Sequence, residues 1–203
     1  IKQLDPDYHK FVRNFYKRLD ACLENKDVAE LRSIIFSSIP SVALTPDTPK
    51  VVQEIQSKGY KTLGLTMRGT GQFGRISSME DWRINDLKSV GISFKNGLPD
   101  VAAGKLDSTI HTTERENDLH ICSPAAIEGV LFTCAIPKGE VLRAYLDYIK
   151  VKPKRVIMVD DIAENIKNVS DYCVKNKIEF TGFEYTAAKE QAKLISIDKR
   201  VAK

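Results

Sequence analysis

Hydrophobic positions along the chain alternate between two spacings. From Asp5 to Ser38 they recur at helical intervals. Asp5-Pro6 reads as an N-cap followed by proline at the first helical position, and Phe11, Phe15, Leu19, Cys22 and Leu23 form one stripe behind it. Lys26-Asp27 breaks that stripe, and Val28 to Phe36 predicts a second, shorter helix. Thr45-Pro-Asp-Thr-Pro49 restarts the chain into a helix over roughly 48–58, closed by Gly59. The short run KTLGLT, 61–66, predicts a buried strand. Ser77-x-x-Glu80 fits a capping box and opens a helix over 78–90. Residues 91–94, GISF, predict another strand. The stretch 95–128 is polar and irregular, with turn signals at Asn96-Gly97 and Ser123-Pro124. Glu128 to Thr133 reads as a strand or hairpin arm. Lys138 to Lys150 is amphipathic on Val141, Leu142, Tyr145, Leu146 and Ile149. An apolar strand over 155–159, a helix through Ile166, Val169 and Val174, and a strand over 178–182 complete the pattern.

Helices alternate with short strands that are apolar on both sides. That pattern predicts an α/β fold with a mostly parallel sheet and helices on both faces. Such sheets bind ligands at the carboxyl ends of their strands.

Composition narrows the classes. The chain has 203 residues, 42% hydrophobic and 29% charged, with a net charge of +4. Its basic residues are spread out, which argues against a dedicated nucleic-acid surface. No apolar run is long enough to span a bilayer. Cys22, Cys122, Cys134 and Cys173 are far apart with no C-x-x-C pair, and are expected to be reduced core thiols favouring a reducing compartment. The first residue is Ile1 and no signal-peptide pattern follows, so residues are expected upstream of it. Location is left open between the cytoplasm and secretion into a host cell.

The chemistry concentrates where VIMV, 156–159, runs into Asp160 and Asp161, with Glu164 one helical turn later. Adjacent carboxylates at a strand end repel each other, and a cation relieves that repulsion. Few hard oxygen ligands with room for water and phosphate suit Mg²⁺. The plainer alternative is that one acid caps the next helix and the other is solvated. Thr66 ends a strand, and its hydroxyl with the following backbone at Met67 and Arg68 can hold a phosphoryl oxygen. Lys138 opens a helix and can neutralise a phosphate or a carboxylate nucleophile. Each residue alone has a structural explanation. The order Thr, Lys, Asp-Asp is harder to explain by packing.

That order resembles the haloacid dehalogenase (HAD) superfamily of phosphohydrolases. More narrowly, TPDTPKVVQEIQSKGYKTLGLTMRG, PKGEVLRAYLDYIKVKPKRVIMVDDIAENI and IEFTGFEYT resemble the bacterial DUF2608 family, frequent in intracellular bacteria. The resemblance implies a Rossmannoid core over 45–203, a helical cap or cap remnant over 1–44, and a flap over 95–128. It implies Thr66 as phosphoryl binder and Lys138 as partner of nucleophile and phosphate. Asp160 with Asp161 or Glu164 would be the Mg²⁺ ligands. The implied reaction is hydrolysis of a phosphorylated small molecule or phosphoprotein through an aspartyl-phosphate.

The resemblance also requires a first strand ending in D-x-D. Asp5-Pro6-Asp7 matches by letter, but a helix pattern follows at once, and capping explains it. The nucleophile is therefore expected upstream of Ile1. Without it, the alternative is a non-catalytic binding module or a secreted bacterial effector. Gly69-x-Gly71-x-x-Gly74 matches a dinucleotide fingerprint, but the next helix starts after it rather than inside it. His111, His120 and Cys122 match no standard zinc-ligand spacing, and the two histidines read as surface residues.

Overall fold

The computed structural model describes residues 21–43, 45–106 and 122–187, together with Asn14, Lys17 and Arg18. Most of the first expected helix, with Asp5-Pro6, His111 and His120, lies outside them. The described elements are α1 (Asn25–Ser38), α2 (Thr48–Ser57), β1 (Gly64–Thr66), α3 (Met79–Ser89), β2 (Ala125–Ile127), β3 (Val130–Phe132), α4 (Lys138–Tyr148), β4 (Arg155–Asp160), α5 (Ala163–Lys175) and β5 (Glu179–Glu184). The architecture is mixed α/β, with two small sheets of order β1-β3-β2 and β4-β5. β1 runs parallel to β3 and β4 parallel to β5, while β2 is antiparallel to β3.

Alternation along β3 sets the layers. Leu131 joins the main core with Val141, Tyr145 and Leu146 of α4, Val169 and Cys173 of α5, and Met158 of β4. Val130 and Phe132 point the other way, into a smaller cluster with Ile84 of α3. So α4 and α5 cover one face and α3 covers the other. Helix α2 lies beside the end of α3. Gln56 donates to the Ser93 carbonyl at 2.9 Å, and a Cβ on Gly91 would sit 3.4 Å from Pro49.

Several sequence expectations need correction. Residues 91–94 form no strand. The N–H groups of Gly91 and Ile92 bond back to the carbonyls of Lys88 and Leu87 and close α3 instead. The α3 cap is Ser78, not Ser77: its hydroxyl accepts the Asp81 N–H at 3.0 Å. Glu80 serves a different bond, accepting the Gly71 N–H at 2.7 Å. The stretch expected as a flap is rooted in the core at both ends. Val101 and Leu106 are buried, and Val101 bridges to Ala126 of β2. β2 returns into β3 through a two-residue turn at Glu128-Gly129, both with positive φ (46° and 75°), as a tight hairpin demands. A Cβ at Gly129 would collide with the Phe94 carbonyl.

Two of the four cysteines are not reduced thiols. Cys122 and Cys134 form a disulfide with Cα atoms 5.7 Å apart, which also removes Cys122 as a zinc candidate. The hairpin register explains it. Ala125 pairs with Phe132, so residues just before β2 and just after β3 face each other. Cys22 and Cys173 are free. Peptide mapping without reductant is expected to recover the 122 and 134 peptides linked. Cys122→Ser is expected to lower unfolding stability by about 3 kcal/mol in denaturant titrations.

Candidate active site

The buried ion pair between Lys138 and Asp160 organises the site. Lys138 is the first residue of α4, and Asp160 is the last of β4. Their Nζ and Oδ2 atoms are 2.5 Å apart, with the residues only 7% and 9% exposed. A cation at a helix N-terminus opposes the helix dipole, so propensity does not place Lys138 there. Close packing does. A Cβ on Gly139 would collide with the Asn168 carbonyl of α5, so glycine lets α4 press onto α5 beside Asp160.

Asp160 is held on both oxygens. Its Oδ1 accepts the Ile162 N–H at 2.9 Å and the Asn165 side-chain amide at 3.0 Å. Burial alone would raise its proton affinity. The hydrogen bonds from Lys138, Asn165 and the Ile162 N–H outweigh that and hold its carboxyl below the ordinary carboxylate range. Asp161, half-buried beside it, is shifted the other way, first by burial and then by the Asp160 charge. Glu164 sits exposed in the first turn of α5. Among the described residues, no three His, Cys, Asp or Glu side chains converge into a cluster able to hold a metal.

Thr66 closes β1. Its hydroxyl accepts the Arg68 N–H at 3.3 Å. The carbonyls of Thr66, Met67 and Arg68 accept N–H groups from Thr133, Ala135 and Cys134. That stitching holds the loop after β1 against the exit of β3, where Cys134 and Ala135 both adopt positive φ (53° and 62°). The Arg68 guanidinium lies over the Phe36 ring of α1 at 4.5 Å and over the Trp82 ring of α3 at 6.0 Å. So Arg68, expected only as a phosphate binder, also ties α1 to the loop. Sequence reading missed Asn165 and Gly139. The short spacing Asp160–Asn165 and a glycine one residue into a helix were the available signals.

A family model described as "Protein of unknown function (DUF2608)" matches residues 7–203. The chain belongs to the DUF2608 family. A Chlamydia pneumoniae relative, named "Putative outer membrane protein//CPj1034/CpB1074", is 23% identical over 68% of this chain and 44% of its own length. A Rickettsia felis protein is 25% identical over 68% of this chain and 46% of its own. A Chlamydia trachomatis "Putative outer membrane protein" is 36% identical over 30% of this chain and 24% of its own. This DUF2608 chain thus spans less than half the length of these curated relatives. No solved structure gives a significant match. No described helix is long and apolar enough to cross a membrane.

The opposed carboxyl shifts have opposite consequences for stability, measured with a chelator present. Asp160, with a depressed folded pKa, stabilises above the unfolded carboxylate range, and that contribution is lost as pH falls through its folded value. Asp161, with a raised folded pKa, favours folding when protonated, and that contribution is lost as pH rises through its folded value. Urea titrations at pH 7 are therefore expected to show Asp161→Asn more stable than the parent, with the difference vanishing at about pH 3. Asp160→Asn leaves the Lys138 ammonium buried without its counter-charge and is expected to cost about 3–5 kcal/mol at pH 7.

Proposed function

We propose that this chain is the core of a Mg²⁺-dependent HAD-type phosphohydrolase. The observation that carries the reading is the buried Lys138–Asp160 pair at the carboxyl end of a parallel strand, with Asp161 adjacent. Its fit to a hard cation rests on the donors. Both acids offer oxygens, and the raised proton affinity of Asp161 marks a place short of positive charge. Mg²⁺ is commonly held by one or two carboxylates plus water and phosphate, so two acids would suffice. Asp160 with Asp161 would hold it, and Glu164 is the less favoured second ligand because it is exposed. When bound, the ion would offset charge on phosphoryl oxygens.

The chain's own residues supply the rest. Lys138 presents a buried ammonium fixed in position before substrate arrives. Thr66 offers its hydroxyl and the backbone that follows it to a phosphoryl oxygen. The nucleophilic Asp is read as lying upstream of Ile1. Helix α1 meets the loop after β1 through the Arg68–Phe36 contact, and as the cap it would select the substrate. The disulfide and the outer-membrane names of the chlamydial relatives favour a location outside the reducing cytoplasm. Those names also favour a second reading, an exported protein that acts by binding and turns nothing over.

Hydrolysis of an aryl phosphate by the natural full-length chain separates the two. Activity is expected to need Mg²⁺. Asp161→Asn is expected to fold more stably at pH 7 yet lose at least about 10²-fold in kcat, and Lys138→Ala to lose a similar factor. An inactive parent, or an Asp161→Asn enzyme with full Mg²⁺-dependent turnover, would overturn the phosphatase reading.

A further inference from the structure

Helices α2, α3, α4 and α5 close in one way. Just past each helix a residue takes a positive φ, and its N–H and the next one bond back to carbonyls of the last turns. In α2 and α3 that residue is Gly59 (φ 83°) and Gly91 (φ 77°). In α4 and α5 it is Lys150 and Lys177, both at φ 56°. Lys150 and Val151 donate to the carbonyls of Asp147 and Leu146, and Lys177 and Ile178 to those of Val174 and Cys173. A left-handed backbone disfavours any residue with a Cβ, and glycine is the usual occupant. The two lysines stand against that preference, and both turns open at the amino end of the β4-β5 pair.

The rest of that end is basic too. Lys152, Lys154 and Arg155 follow Lys150 into β4, and Lys175 precedes Lys177. All six are exposed. The Glu179 N–H bonds the Lys154 carbonyl, so the two loops lie side by side, and the fold gathers cations that the sequence separates. Among the described residues no ion pair engages any of the six, and Arg143 and Lys167 hold the nearby Asp147 and Asp171. Glu179 lies opposite Arg155 in register and leaves the patch strongly positive. The negative end of a helix favours a nearby cation, which offsets the strain at Lys150 and Lys177. That field fades beyond the last turn and does not reach Lys152, Lys154 or Arg155. Tyr148 and Val151, 52% and 43% exposed, stand among the lysines.

We propose that the amino end of β4-β5 is a docking surface for an anionic lipid bilayer. Charge complementarity sets the partner's sign, and side-chain type sets its class. Lysine is a flexible point charge suited to a diffuse negative surface, whereas nucleic acid favours the planar fork of arginine, and Arg155 alone supplies one here. Tyr148 and Val151 give the patch apolar points that can enter the headgroup layer while the lysine stems spread around them. β4 carries six residues from Arg155 to Asp160, or about 20 Å, so docking leaves the candidate site at the far end of the strand, facing away from the bilayer. The surface is therefore separate from that site and does not rest on the phosphatase reading.

Co-sedimentation of the full chain with vesicles tests it. Binding is expected to phosphatidylcholine vesicles carrying about one-third phosphatidylglycerol, not to pure phosphatidylcholine, and to fall away as salt rises toward about 0.5 M. Each lysine removed is expected to weaken binding about fivefold, so Lys152→Gln with Lys154→Gln is expected to lose roughly twenty-fold. Lys150→Gly with Lys177→Gly is expected to lose a similar factor and to melt no lower than the parent, since glycine suits both turns. Equal binding to neutral vesicles, unchanged binding in the glutamine variant, or tighter binding to duplex DNA than to the anionic vesicles would each overturn the proposal. So would a lower Tm with unchanged binding in the glycine variant, which would assign the two lysines to the helix ends alone. Turnover of a soluble aryl phosphate by the glutamine variant is expected to match the parent's, so the fate of the phosphatase reading is decided separately.

Discussion

The arrangement depends on one buried ion pair. Lys138 and Asp160 belong to consecutive elements, and neither is placed by local preference. A lysine at the first position of a helix opposes the dipole, and a carboxylate at a strand end loses solvation when α5 packs over it. Together they become tolerable, because Asp160 accepts from the ammonium, a backbone N–H and an amide at once. Such pairs add little net stability over apolar residues of the same volume, since desolvation cancels most of the attraction. Their effect is to fix geometry: α4 cannot slide along α5 without stranding a charge.

Much of the fold was legible because most elements obey one strong period. The stripe on Val141, Leu142, Tyr145 and Leu146 gave α4, and the apolar run before Asp160 gave β4. The failures share a cause. GISF has strand composition, but its donors were already committed to closing α3. Ser77 and Ser78 offer the same cap chemistry one residue apart, and it is Ser78 that accepts the Asp81 N–H while Glu80 takes the Gly71 N–H. The 122–134 disulfide depends on hairpin register, which a twelve-residue spacing conceals. In each case a specific hydrogen bond or covalent link overrode the signal of composition.

The candidate site was legible in kind and partly in detail. Thr66, Lys138 and Asp160 were marked by their positions at element ends, where a parallel sheet delivers side chains to one edge. The pattern could not show that Lys138 contacts Asp160 directly, or that Asn165 completes the cradle. Those facts need the close approach of α4 to α5, which Gly139 permits and no periodicity encodes. Arg68 shows the reverse problem. Its charge suggested phosphate, but its guanidinium is engaged with the aromatic face of α1.

Asp160 and Asp161 are neighbours in sequence and differ in what the fold has given them. Asp160 has every oxygen engaged and is held charged. Asp161 has the burial and the adjacent negative charge without comparable donors, so its ionised form is disfavoured. A sequence selected for stability alone would remove that second carboxylate, since asparagine or serine would sit there without electrostatic strain. Charge kept at a local disadvantage is the usual mark of a group used by a ligand rather than by the fold. The Lys138 charge offsets part of this, but burial and the Asp160 charge prevail. A bound cation would relieve that penalty, which is why Asp161 belongs to the proposed Mg²⁺ site.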